Sequence, residues 1–306
     1  MRVMLNAHRD LAIPMESLFV VDYLRGSNAV PLNRMAGMVL HEYEFSEWGV
    51  TISHDELKGV SSVVEILDRM HAAYARSAGK TRWGQKTPRF VRYGAVLKKA
   101  WPGAQFVHVV RDARAVASSL IRSQVHHSNA YFGARRWQRD VTHGLKLERD
   151  YPGDVLRVKF EDLVTDSERV LRGVCSFLKV DYDDGMLDYR KTYGKEYGTY
   201  YEEVHARTAN PPDPERVDAW RNHLNAGQIK LVEGVNGTLM HALGYDTDFE
   251  EPHAAQWVVL GLRMQRMAGI ARQIRHSVTT RGEYLWCWFR RKWTLRLYRD
   301  LIEVND

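Results

Sequence analysis

Cysteine and long apolar runs are scarce in this sequence. Its 306 residues contain two cysteines, Cys175 and Cys287, which lie far apart and outside any CxxC or metal-type spacing. A disulfide framework is therefore not expected, and a reducing setting is favoured. No run approaches the roughly 18 apolar residues of a membrane span, and the first residues lack the apolar region and cleavage pattern of a signal peptide. We expect a cytoplasmic protein without a metal site.

Positive charge is concentrated at one end of the chain. Residues 252–306 hold ten Lys and Arg against four Asp and Glu, so the net charge of +6 lies there and residues 1–251 are neutral. A neutral body gives no indication of a nucleic-acid partner. A basic tail indicates contact with an acidic surface or partner, or else a solvated tail.

Short apolar segments alternate with amphipathic ones along residues 1–245. Strands are predicted over 105–110 and 154–160. Helices are predicted over 1–8, 61–79, 89–101, 112–123, 131–150, 166–178, 214–224 and 225–245. Asp112 and Asp166 are the predicted N-caps of two of them. Strands separated by helices at this rhythm imply an α/β fold with a parallel sheet covered on both faces. Residues 183–215, rich in Tyr, Gly and Pro, are expected to form a long loop.

Two arginines follow the first predicted strand. In "FVHVVRDARAVASS" (106–119), Arg111 stands where strand gives way to helix, and Ser119 lies further along that helix. Ligands bind beyond the carboxyl ends of parallel strands, and helix N-termini favour anions. A guanidinium can bind a phosphate bidentately there. The alternative is that Arg111 and Arg114 form ion pairs with Asp112 and other acids at the surface.

This segment resembles the 3′-phosphate loop of sulfotransferases that use 3′-phosphoadenosine 5′-phosphosulfate (PAPS). Three more segments resemble the same family, in the same order. These are the helix start "MRVMLNAHRDLAIPMES" (1–17), the Lys-Thr-Pro turn in "WGQKTPRF" (83–90) and the strand-Glu-Asp-Leu-helix segment "RVKFEDLVTDSERVLRGVCSFL" (157–178). The resemblance is to tyrosylprotein sulfotransferases and their bacterial relatives, and it covers about residues 1–245. It implies a three-layer P-loop-NTPase-like core, with residues 1–250 as the sulfotransferase domain.

The resemblance implies a role for five residues. Glu16 corresponds to the catalytic base, and Lys86 to the lysine that neutralises charge on the bridging oxygen. Arg111 and Ser119 correspond to the ligands of the 3′-phosphate, and Phe160 to a tyrosine near the adenine. A helix-capping or surface role for Glu16 and a turn role for Lys86 are the alternatives. PAPS is then the co-substrate, no metal is needed, and the acceptor is a hydroxyl of a carbohydrate, small metabolite or lipid.

The sequence departs from the family at two points. The first strand and the 5′-phosphosulfate loop of the family would lie just before Met1, so we expect a misassigned start codon. A fragment, or a non-catalytic nucleotide-binding remnant, is the alternative. The Arg-Lys motif of cytosolic members is absent, and Arg207 or Arg216 could replace it. A P-loop nucleotide kinase is the enzymatic alternative, but the sequence has no Walker lysine.

Aromatic and basic residues interleave in the predicted helical tail, residues 251–306. The stretch "GEYLWCWFRRKWTLRLYRDLIEV" (282–304) places three tryptophans among arginines and a lysine. Such a helix can lie on a membrane surface. It can also pack its aromatic side chains on its own body or on a second subunit, and the sequence leaves these readings open.

Overall fold

The computed structural model describes residues 1–123, 128–191, 210–249, 256–280 and 282–302. The chain forms two compact units, each built from separate segments. The first unit comprises Met1–Phe106, Asp166–Pro212 and Glu283–Val304. The second comprises Val107–Thr165, Asp213–Gly282 and Asn305–Asp306.

Helices dominate both units. The α-helices are α1 (Arg2–Ala7), α2 (Phe19–Arg25), α3 (Leu32–Leu40), α4 (Tyr43–Ser46), α5 (Val63–Ser77), α6 (Gly94–Ala100), α7 (Ala113–Arg122), α8 (Ala130–Asp150), α9 (Phe160–Thr165), α10 (Ser167–Leu178), α11 (Ala226–Ala242), α12 (Gln256–Thr280), α13 (Gly282–Thr294) and α14 (Tyr298–Ile302). The strands are β1 (Leu11–Ala12), β2 (Arg82–Trp83), β3 (Phe106–Val110) and β4 (Val155–Lys159). None of the described helices is long and apolar enough to cross a membrane.

In the first unit, β1 and β2 pair in parallel. Leu11 lies opposite Arg82, and Ala12 lies opposite Trp83. The core beside them is formed by apolar side chains of α2, α3 and α5, all at most 1% exposed: Phe19, Val20, Val21, Tyr23, Met35, Val39, Ile66, Leu67 and Met70. Each large apolar side chain buried to this extent contributes about 1.5–3 kcal/mol to folding. Leu295, which follows α13, belongs to the same core.

In the second unit, β3 pairs with β4, and α7, α8 and α11 pack on one another. Small residues allow the close approach of α7 and α8, because a Cβ on Gly133 would lie 3.0 Å from the Cα of Ala117. The buried core joins residues of these helices with the end of β3: Val110, Ala113, Ala117, Ala134, Trp137, Val232 and Met240.

The two predicted N-caps are confirmed. The carboxylate of Asp112 accepts a hydrogen bond from the backbone N–H of Arg114, and that of Asp166 accepts one from Arg169. Each satisfies an amide that the first turn of a helix leaves unpaired. Both predicted strands are also confirmed, as β3 and β4.

Two features differ from the sequence prediction. The predicted helix after Pro214 is wrong, because 3-10 turns at Pro214–Arg216 and Ala219–Asn222 replace it. Trp220 is buried there with Leu224 against Ala115, so packing overrides the local preference for a helix. Strands β1 and β2 were not predicted, since two residues are too few for a periodic signal. Much of the predicted loop, together with Arg207, lies outside the described residues.

Candidate functional site

Glu16 and Lys86 form an ion pair in the first unit. Glu16 follows β1 and Lys86 follows β2. Because these strands are parallel neighbours, both segments leave the sheet at the same edge. There the Nζ of Lys86 donates to the Oε1 of Glu16, with the two side chains 38% and 31% exposed. The pair places a proton acceptor and a cation side by side where a substrate can reach them.

Backbone and amide hydrogen bonds hold the two segments together. The N–H of Ser17 donates to the Oγ1 of Thr87 at 2.9 Å. The side-chain amide of Gln85 donates to the hydroxyl of Ser17 and to the carbonyl of Met15. Ser17 is fully buried. The residues on either side of Glu16 are therefore fixed against those on either side of Lys86, which restricts the geometry of the pair.

Arg111 lies at the carboxyl end of β3 in the second unit and has no carboxylate partner among the described residues. Its Nη2 donates to the backbone carbonyl of Arg216 at 3.0 Å, and its guanidinium carbon lies 4.2 Å from the ring centroid of Phe160. Its Nε is buried and makes no hydrogen bond within the described residues. Burial lowers the pKa of Arg111, and Arg216 adds to that effect, although Glu161 opposes it. A cation in this position is suited to an anionic ligand.

Arg114, three residues on, is fully paired. It is 4% exposed, with Nη2 2.7 Å from Asp112 Oδ2 and Nη1 2.7 Å from Glu233 Oε1. Its guanidinium also lies 4.0 Å from the ring centroid of Trp220. The ion-pair alternative is therefore correct for Arg114, although the pairs are buried rather than at the surface. It does not describe Arg111.

Ser119 and Phe160 belong to the same unit as Arg111. Ser119 is exposed on α7, so its hydroxyl is accessible. Phe160 is the first residue of α9, and one face of its ring carries the Arg111 guanidinium. The structure thus brings Arg111 to Phe160 in the second unit and Glu16 to Lys86 in the first unit. That Glu16, Lys86, Arg111 and Ser119 line one cleft stays a prediction.

Sequence reasoning missed how the Arg111 segment is held in place. Glu161 accepts a hydrogen bond from the N–H of Asp112 at 3.0 Å through one oxygen, and one from the hydroxyl of Tyr245 at 2.9 Å through the other. Glu161 lies in one of the segments that resemble the family. Its hydrogen bond to Asp112, 49 positions away, leaves no local pattern in the sequence. Arg216, left open in the sequence, is the arginine whose charge acts on Arg111.

A groove of about 1120 Å³ lies between α8 and α11 in the second unit. None of the five predicted site residues lines it. Its walls carry polar and basic side chains, among them Arg135, Gln138, Arg139, His143, Asn236 and His241. In the described ranges no group of three or more His, Cys, Asp and Glu side chains is placed to hold a metal ion.

A comparison with protein families decides the identity of the chain. The family model described as "Sulfotransferase family" matches residues 1–184. The chain belongs to the sulfotransferase family. It is therefore a transferase enzyme, as the four segments in "Sequence analysis" predicted.

Named relatives and solved sulfotransferase structures agree with this. A Caenorhabditis briggsae protein provisionally named protein-tyrosine sulfotransferase is 21% identical over 258 residues, which are 82% of this chain and 86% of that protein. The protein-tyrosine sulfotransferase of Drosophila melanogaster is 22% identical over 272 residues, 84% of this chain and 52% of that protein. The sulfotransferase domain from the curacin biosynthetic pathway superposes with a TM-score of 0.58 at 16% identity, covering 80% of this chain and 93% of that one. The predicted sulfotransferase fold is confirmed.

Proposed function

We propose that this sulfotransferase moves a sulfuryl group from PAPS to a hydroxyl of a carbohydrate, small metabolite or lipid. The observation that carries the proposal is the unpaired guanidinium of Arg111 at the carboxyl end of β3. A partly buried cation with an unused donor and no carboxylate partner in the described residues is costly unless an anion binds it. A nucleotide phosphate fits that requirement.

Arg111 and Ser119 would bind the 3′-phosphate of the donor. The guanidinium of Arg111, which has no carboxylate partner among the described residues, would supply the positive charge, and Ser119, exposed on α7, would supply a hydroxyl. Phe160 keeps the guanidinium plane in position by stacking and would lie near the adenine. Arg216 is a second cation beside Arg111 and would share the charge of the same phosphate.

Glu16 and Lys86 would carry the chemistry. Glu16 accepts the proton of the acceptor hydroxyl as the acceptor oxygen forms its bond to sulfur. The bond from sulfur to the phosphate oxygen breaks in the same step, and Lys86 stabilises the negative charge left on that oxygen. Transfers of this kind depend mainly on positioning and electrostatic stabilisation. The hydrogen bonds from Ser17 and Gln85 supply the positioning of this pair.

A protein tyrosine is the second candidate acceptor, because the relatives named above are protein-tyrosine sulfotransferases. A phenol and an alcohol both offer a hydroxyl to Glu16, so the same residues would serve either. Release of adenosine 3′,5′-bisphosphate from PAPS, measured against tyrosine peptides, sugars and hydroxylated lipids, separates the acceptor classes.

The donor site is tested by nucleotide binding. Arg111→Ala should weaken binding of adenosine 3′,5′-bisphosphate by roughly 10- to 100-fold, because a charge-assisted phosphate contact is lost. Titration calorimetry measures this, and Arg122→Ala, at the end of the following helix α7, is the matched control. Equal affinity for the Arg111 and Arg122 variants would show that Arg111 does not bind the phosphate.

The catalytic pair is tested by turnover. Glu16→Gln should lower kcat by about 10²- to 10⁴-fold, as expected for loss of a general base, while nucleotide affinity is kept. Glu168→Gln removes an exposed carboxylate on α10 and serves as the control. Normal turnover of the Glu16 variant would refute the base assignment. Nucleotide binding without turnover by the unmodified chain on any acceptor would indicate a binding protein.

A further inference from the structure

The outward face of α13 is aromatic. Trp286, Phe289 and Trp293 recur on successive turns of this helix and are 64%, 45% and 58% exposed. Tyr298, at the start of α14, is 47% exposed. These four residues are called the aromatic face below.

Three of the four rings contact one another, and Trp286 lies one turn before them on α13. Phe289 and Trp293 stack with their centroids 6.1 Å apart, and Trp293 meets Tyr298 edge to face at 5.2 Å. Scattered exposed apolar residues are ordinary on a protein surface, but contiguous aromatic patches mark interaction sites. The aromatic face therefore needs a partner.

Buried charges on the opposite face of α13 fix this orientation. Arg291 is 0% exposed and Lys292 is 4% exposed. The Nε of Arg291 lies 2.8 Å from Asp22 Oδ2, and the Nζ of Lys292 lies 2.6 Å from both Asp22 Oδ1 and Asp300 Oδ2. Turning the rings inward would break these pairs and leave carboxylates buried without a cation. The aromatic face consequently stays outward.

Positive charge predominates around the aromatic face, and Glu283 and Asp300 lie at its two ends. Residues 284–299 contain four arginines and one lysine and no Asp or Glu. Arg291 and Lys292 are used internally, whereas Arg296 and Arg299 are exposed beside the rings. A partner that covers the aromatic face must therefore accept both aromatic side chains and positive charge.

We propose that the aromatic face docks on the surface of an anionic phospholipid bilayer. Trp and Tyr rings favour the headgroup region, and arginines near the surface are attracted to anionic lipids. At 1.5 Å per residue the 13 residues of α13 extend about 20 Å, too short for a bilayer core of about 30 Å, so the helix would lie in the interface. A second copy fits less well, because a two-fold interface would bring the positive charge of two such faces together.

Vesicle sedimentation tests this on the full chain. The chain should sediment with vesicles of phosphatidylcholine and phosphatidylglycerol, and far less with phosphatidylcholine alone. Replacing Trp286, Phe289 and Trp293 by Ser should lower partitioning by at least about tenfold, since the rings supply the apolar contact. Arg296→Gln and Arg299→Gln should each cost about fivefold on the anionic vesicles only.

The matched control removes three exposed apolar side chains from α12, as Met264→Ser, Met267→Ser and Ile274→Ser. It should sediment like the unmodified chain. Hydrogen exchange on the unmodified chain gives a second measurement that needs no substitution, and the amides of 286–299 should become protected when anionic vesicles are added.

Three results would overturn the proposal. One is sedimentation that is absent or indifferent to phosphatidylglycerol. The second is equal sedimentation of the aromatic-face variant and its control, or no added protection over 286–299. The third is a dimer in light scattering that the aromatic-face substitutions convert to a monomer, since the face would then join two copies.

Discussion

Two arginines three positions apart have opposite electrostatic surroundings. Arg114 lies between Asp112 and Glu233 and is neutralised, so it holds α7 to the rest of the second unit. Arg111 rests on the ring of Phe160 with a buried donor unused within the described residues. The difference is set by side chains from distant segments, since Glu233 lies 119 positions from Arg114. At the scale of single residues, the candidate ligand-binding arginine is therefore Arg111, because its charge has no carboxylate partner within the described residues, whereas Arg114 is neutralised.

Glu44 gives a prediction about pH. Burial raises the pKa of its carboxyl to about 7, with Glu42 and Asp22 adding to the rise and Arg291 opposing it. The folded chain then keeps this proton up to about pH 7, whereas the unfolded chain loses it near 4.5. Between these values the native state binds more protons, so the free energy of unfolding should fall as the pH rises.

Glu44→Gln should remove this decline, which amounts to at most about 3 kcal/mol. Urea unfolding at about pH 5 and about pH 8 measures it. Glu168→Gln, on the exposed side of α10, should leave the pH dependence of the free energy of unfolding unchanged. An unchanged slope in the Glu44 variant would mean that this carboxyl does not titrate in that range.

At the scale of elements, helix packing in the second unit depends on the absence of a side chain at Gly133. A Cβ there would lie 3.0 Å from the Cα and 3.2 Å from the Cβ of Ala117, which belong to the neighbouring helix α7. Gly133→Ala should therefore lower the free energy of unfolding by about 1–3 kcal/mol. Gly173 in α10 is the control, since nothing lies within 4 Å of its Cβ position.

Gly173→Ala should instead stabilise the chain by about 0.5–1 kcal/mol, because alanine restricts the unfolded state. In thermal melts, the Tm of the Gly133 variant should fall and the Tm of the Gly173 variant should rise. A shift in the same direction would mean that α7 and α8 separate enough to accept a methyl group at no cost.

Local signals predicted the helix ends well and the small strands poorly. Asp112 and Asp166 could be identified as caps because a cap acts on an amide two or three residues away. Strands β1 and β2 are set by pairing across 71 positions, which no local pattern records. The site residues came from resemblance to a family. The contact of Glu16 with Lys86, and that of Arg111 with Phe160, needed the fold.

At the scale of the whole molecule, the part of the basic tail that contains most of α13 and all of α14 belongs to the first unit, whereas α12 belongs to the second. Arg291 meets three carboxylates, Asp22, Glu42 and Glu44, and all four side chains are at most 5% exposed. The sequence composition showed positive charge at this end of the chain and predicted either contact with an acidic surface or partner or a solvated tail. Part of that charge is internal, because carboxylates near the start of the chain need a cation within the core.

Arg291→Met should destabilise the chain by roughly 3–5 kcal/mol, since it leaves buried carboxylates unpaired. Adding Glu42→Gln and Glu44→Gln should recover part of the loss, because fewer buried charges then lack a cation. Urea unfolding measures both, with Arg299→Met on the exposed side as the control. A loss in the Arg299 variant as large as that in the Arg291 variant would point to a general effect of the tail.

Leu295 packs against Gly26 so closely that a Cβ on that glycine would lie 2.6 Å from the Cβ of Leu295. Leu295 follows Gly26 by 269 positions, so this part of the core of the first unit cannot close until the ribosome has passed residue 295. Until Arg291 is made, the carboxylates of Asp22, Glu42 and Glu44 lack the cation that pairs with all three in the folded chain. A stop codon before position 291 would leave them without it.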